Sequence, residues 1–127
     1  VRELILEGLV SAVHDCSDGG VAAALAEMAL AGSIGVSMDR LPGYMQHDPP
    51  AHAALFGEDQ GRYILAAAPD RVDEVIRRTL AAGASCVLHI GSAGGDALTL
   101  PGETPISLAE LREAHEGWLP AYMAKAS

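Results

Sequence analysis

His14-Asp15-Cys16-Ser17-Asp18-Gly19-Gly20, with Val21, Ala24, Leu25, Met28 and Ala29 behind it, is the stretch on which the reading of this chain turns. Ahead of it, residues 8–13 read as a helix end running into a short apolar strand. Behind it, apolar residues recur at the three- and four-residue spacing of one helical face. The motif therefore sits at a strand-to-helix turn. Ser17 or Asp18 can cap the new helix, because a short side-chain oxygen accepts the unpaired amides of a first turn. Gly19 and Gly20 remove side chains at the entry, so another backbone or an anion can approach amides at the positive end of the helix dipole. On local residues alone, the alternative is a plain capped helix with a tight entry.

Working outward, residues 2–10 read as a short helix, 11–14 as a strand and 18–31 as the helix just described, with Gly32 in the glycine stop position. Apolar residues at 34, 36 and 38 then predict a second strand. Pro42, Gly43, Pro49 and Pro50 mark 41–50 as a loop, and 51–56 can form a short helix. A second polar turn, Gly57-Glu58-Asp59-Gln60-Gly61, leads into the strongest strand signal of the chain at 62–67. Pro69 and Asp70 open an amphipathic helix with Val72, Val75, Ile76 and Leu80 on one face, closed by Gly83. Residues 86–90 predict a strand, 91–96 a glycine-rich turn and 97–100 its antiparallel partner. Ser107 and Glu110 form a capping box that opens a last helix, interrupted by Gly117 and Pro120. Two strand-helix-strand units, an extra strand and a C-terminal helix predict an α+β fold, a layered α/β sandwich that is partly ferredoxin-like.

The size, 127 residues, suits a single domain with its own core. Eight basic against seventeen acidic residues give a formal charge of −9, which repels nucleic acid and anionic membrane surfaces. No apolar run approaches a membrane span, and the start lacks the pattern of a secretion signal, so a cytoplasmic location is expected. The helix-like pattern begins almost at Val1, which suggests a piece of a longer protein. Cys16 and Cys86 have no paired spacing, so reduced thiols are expected. Aromatic residues make up only 4 %, so the core is built from small aliphatic side chains. Such a chain is expected to offer apolar surface to a neighbouring domain and, alone, to self-associate.

The candidate site residues fall in the two polar turns. Asp15, Ser17, Asp18, Gly19 and Gly20 suit a phosphorylated ligand, and Asp15 and Asp18 are weak metal candidates because hard cations take carboxylate oxygens. Glu58, Asp59, Gln60 and Arg62 can hold a ribose, a phosphate or an amide, or can equally form an internal network in which Arg62 fixes the turn. Cys16 lies near a helix N-terminus but lacks a base, so it reads as inert. His47, Asp48 and His52 have metal-ligand chemistry without a recognised spacing and read as a solvated loop.

Together these motifs carry a resemblance. His14 to Gly20 with Ala24-Leu25-Ala26-Glu27-Met28-Ala29, then Leu55-Phe56-Gly57-Glu58-Asp59-Gln60-Gly61-Arg62-Tyr63, resemble the C-terminal, AIR-synthase-type domain of the phosphoribosylformylglycinamidine synthase family, PurL subunit. Leu108 to Arg112 with Trp118-Leu119-Pro120 resemble the end of the short bacterial form. The resemblance implies a multidomain ATP- and Mg2+-dependent carbon-nitrogen ligase of purine biosynthesis. Its ammonia comes from a glutaminase subunit, and a small third subunit completes the complex.

The family's subunit is a tandem duplication whose pocket draws on the first C-type copy, with a Glu-Ser-Gln-Glu-Arg run and an Asp-Leu-Gly-Ala-Ala-Gly run. This chain has Glu58-Asp59-Gln60-Gly61-Arg62 and Asp15-Cys16-Ser17-Asp18-Gly19-Gly20, and so resembles the second copy. That implies no catalytic residue here, an inactive isolated domain and a scaffolding role. The alternatives are an auxiliary nucleotide or phosphate module at the nine residues named above, or the same domain of another enzyme of the superfamily.

Overall fold

The computed structural model describes residues 1–43 and 49–125. Its helices are α1 (Arg2–Leu6), α2 (Gly20–Gly32), α3 (Ala51–Phe56), α4 (Val72–Ala81), α5 (Leu108–Glu116) and α6 (Trp118–Lys125). Its strands are β1 (Ala12–Asp15), β2 (Val36–Met38), β3 (Tyr63–Ala66), β4 (Gly91–Ala93), β5 (Ala97–Thr99) and β6 (Ile106–Ser107). The described residues divide into two compact units, one of residues 1–24 with 41–43 and 49–90, the other of 25–40 with 91–125.

In the first unit β1 and β3 pair antiparallel, with Ala12 opposite Ala66 and Asp15 opposite Tyr63. Leu4, Leu9 and Val75 are buried together, with Val10, Leu65 and Ala67 packed against them. That cluster joins α1 to α4, and Arg78 reinforces it by pairing with Glu7 and with Glu74. Helix α1 ends where Gly8 takes a left-handed φ of 66°. There the amides of Gly8 and Leu9 bond back to the carbonyls of Ile5 and Leu4, closing the helix as a Schellman motif. Gly83 does the same for α4 at φ 92°, with Gly83 bonding to Leu80 and Ala84 to Thr79. In α4 the expected face is only partly buried: Val75 is covered, whereas Leu80 is exposed.

The second unit holds a four-stranded sheet in the order β4-β2-β5-β6. β2 runs antiparallel to β4 and parallel to β5, and β5 runs antiparallel to β6. Leu25, Ala29, Met38 and Leu98 are its buried hydrophobic side chains. Gly91 is forced by this sheet, because a Cβ there would lie 2.0 Å from the Ser37 carbonyl oxygen. The Ser107 hydroxyl accepts from the Glu110 amide while the Glu110 carboxylate accepts from the Ser107 amide, so the capping box opens α5 as expected.

The α+β class stands, but several connections differ from the sequence reading. The predicted first strand-helix-strand unit does not share a sheet, since β1 pairs with β3 and β2 pairs with β4 and β5. Residues 86–90 form no strand, so the second unit lacks its closing strand as well. Residues 91–93, expected in a turn, are strand β4, and 97–99 pair with β2 and β6 instead of with 86–90. Strand propensity favours an extended backbone but does not choose its partner. Gly32 is the last helical residue of α2 and not its stop; the left-handed position falls on Ser33, φ 50°, whose amide bonds to Leu30 while that of Ile34 bonds to Ala29.

Candidate functional site

The pairing of β1 with β3 brings the two polar turns together. Beyond its last residue pair the ladder continues through the Cys16 amide, which donates to the Arg62 carbonyl at 2.8 Å. The chain then turns at Gly19 and Gly20, both left-handed at φ 77° and 67°. A Cβ on Gly20 would lie 2.8 Å from the carbonyl oxygens of Leu55 and Gly57 and 2.9 Å from the Phe56 carbonyl carbon. Glycine is thus required at position 20 by the backbone of the other turn.

At the entry of α2 the Gly19 amide donates to Glu58 Oε1 at 3.0 Å. The expected cap from Ser17 or Asp18 is not what fills this position. The Ser17 hydroxyl donates instead to Asp15 Oδ2 at 2.9 Å, while the Ser17 carbonyl accepts from the Gly20 amide at 3.1 Å. A carboxylate at the positive end of a helix is favourable, so Glu58 supplies from the second turn the negative charge that a phosphate supplies elsewhere.

Arg62 holds the second turn from within. Its guanidinium donates to the Gly57 carbonyl at 3.3 Å and the Ala54 carbonyl at 3.4 Å, and it pairs with Asp59 Oδ2 at 3.3 Å. The Arg62 side chain is only 22 % exposed against 53 % for Asp59, so the carbonyl bonds lie on the covered side and the ion pair on the solvent side. These bonds take up carbonyls at the end of α3, which has no following turn to satisfy them. Asp18 and Gln60 are exposed and take no part in these bonds.

Cys16 is buried beside this junction. Burial pushes its thiol pKa up, against the pull of Arg62 and together with the charge of Asp15. The thiol therefore stays protonated at neutral pH, which fits the inert reading. His14 is half-buried, its Nδ1 2.6 Å from the Asp15 carbonyl oxygen, whereas Asp15 is exposed, as strand alternation predicts. Among the described residues no group of three or more His, Cys, Asp or Glu side chains is placed to hold a metal ion. His52 is exposed on α3, and His47 and Asp48 lie outside the described residues.

One feature of the second unit had only a partial sequence signal. Arg112 on α5 donates to the Leu30 carbonyl at 3.0 Å and the Ser33 hydroxyl at 3.4 Å, clasping the end of α2, and pairs with Glu116 at 2.7 Å. An open groove of about 640 Å³ lies there, lined by Glu27, Leu30, Ala31, Ser33, Arg112, His115 and Glu116. Only the Arg112 and Glu116 spacing was readable in advance; the separation of 79 residues between Arg112 and Ser33 was not.

Residues 1–100 match the family described as AIR synthase related protein, C-terminal domain, and the chain belongs to that family. Within it, the chain is similar to phosphoribosylformylglycinamidine synthase subunit PurL of Methylocella silvestris, 53 % identical over 126 residues, covering 99 % of this chain and 16 % of the relative. The same subunit of Azorhizobium caulinodans is 47 % identical over 123 residues, covering 97 % of this chain and 16 % of the relative. The chain therefore spans 16 % of the length of these curated relatives. Among solved structures, T. maritima PurL complexed with FGAR matches at a TM-score of 0.65 and 21 % identity, over 86 % of this chain and 19 % of that one. T. maritima PurL complexed with ATP matches at 0.64 and 22 %, over 86 % and 20 %. At these identities the likeness is one of fold.

Proposed function

We propose that this chain is the second of two AIR-synthase-type C-terminal domains in the large subunit of a phosphoribosylformylglycinamidine synthase, a single domain that comprises both compact units. The whole enzyme is then a cytoplasmic, ATP- and Mg2+-dependent ligase of purine biosynthesis. In that reaction the formamide oxygen of formylglycinamide ribonucleotide takes the γ-phosphoryl group and ADP leaves. Ammonia adds to the activated carbon, the carbon-oxygen bond breaks, and inorganic phosphate departs as the amidine forms. Ammonia is supplied by a glutaminase subunit, and a small third subunit completes the assembly.

In this reading the chain supplies no catalytic residue and is inactive by itself; it holds neighbouring domains in place. The observation that supports the scaffolding role is the bond from the Gly19 amide to Glu58. A carboxylate of the chain's own already sits at the helix entry where a phosphate is otherwise favoured, and a second anion there meets like-charge repulsion. Asp15 adds a further negative charge nearby through its bond to Ser17.

A second reading is an auxiliary nucleotide or phosphate site at Asp15, Ser17, Asp18, Gly19, Gly20, Glu58, Asp59, Gln60 and Arg62. It is favoured by the meeting of the two turns at one helix entry. Thermal unfolding of the chain with and without magnesium ADP separates the two. A ligand at 100 times its dissociation constant adds about 2.7 kcal/mol, a rise of roughly 10 °C for a chain of this size. The scaffolding reading expects no rise; a clear rise that Arg62→Met abolishes in a folded variant overturns it. The family activity is tested separately, by glutamine- and ATP-dependent amidine formation with the whole subunit and its partners.

A further inference from the structure

We draw no further inference here: the strongest candidate, the apolar face of helix α6 carrying exposed Trp118, Leu119, Tyr122 and Met123, is a surface for which nothing in the structure shows what covers it.

Discussion

Replacing Gly20 by alanine will destabilise the chain far more than the same change at Gly8, although the two glycines have nearly the same backbone conformation. Their φ values are 67° and 66°, so alanine at either position incurs the same left-handed penalty, about 1–2 kcal/mol. The narrower unfolded ensemble of alanine returns about 0.4–1 kcal/mol in both cases. At Gly8 nothing lies within 4 Å of the new methyl, and the net loss is about 1 kcal/mol. At Gly20 the methyl meets three backbone atoms of residues 55–57 at 2.8 to 2.9 Å. Those atoms cannot rotate aside as a side chain does, because Arg62 fixes the Gly57 carbonyl and the Glu58 carboxylate bonds to Gly19. Forcing the turns apart adds about 1–3 kcal/mol, the range for overpacking. The total for Gly20→Ala is then about 2–4 kcal/mol, against about 1 for Gly8→Ala. At about 4 °C per kcal/mol for this length, the midpoints fall by roughly 8–16 °C and 4 °C respectively. Thermal unfolding followed by far-ultraviolet circular dichroism reads both. Equal midpoints for the two variants would refute the close approach and, with it, the interlock of the turns.

Further outcomes follow from the same contacts. Glu58→Gln removes the charged acceptor at the entry of α2, and the cost is about 0.5–1.5 kcal/mol because the bond is exposed; faster hydrogen exchange at the Gly19 amide is its local readout, and unchanged exchange counts against the bond. Arg62→Met strips the Ala54 and Gly57 carbonyls of a charged donor, and urea unfolding is expected to show a loss of about 2–3 kcal/mol. Ser107→Ala breaks the capping box at about 1 kcal/mol, and it also lets the Glu110 carboxyl return upward toward 4.5, because the Ser107 bonds now hold its pKa down; a carbon-13 titration of Glu110 detects this. The hydrogen bond from Arg77 likewise holds the Glu74 carboxyl below 4.5 in the folded chain. Its stabilisation is therefore present above pH 4.5 and is lost as pH falls through the lower folded value, so the difference in midpoint between the native chain and Glu74→Gln should shrink on acidification.

The family assignment was readable because its motifs are short and local. The run from His14 to Gly20, the run from Leu55 to Tyr63 and the capping box at Ser107 each declare themselves in a few adjacent residues. For the same reason α3 and the start of α5 appear where the residues place them, whereas α1, expected over residues 2–10, ends at Leu6 because Gly8 turns left-handed. Sheet partners were not. The segment 86–90 has the composition of a strand and forms none, whereas Gly91–Ala93 has the composition of a turn and pairs with β2. A strand is completed by hydrogen bonds to another segment, and a single sequence does not state which segment that is.

The candidate site divides along the same line. The sequence by itself determined which residue types gather in the two turns, that Gly19 and Gly20 leave room for a close approach, and that Arg62 has acids beside it to pair with. Only the tertiary structure decided what approaches. Gly20 is met by the backbone of residues 55–57, and the Gly19 amide is met by Glu58, 39 residues away. An exposed helix amide accepts a phosphate or a carboxylate equally well by charge, so local chemistry leaves the choice open. The register of β1 against β3 carries Glu58 to the helix entry, where its carboxylate meets the Gly19 amide.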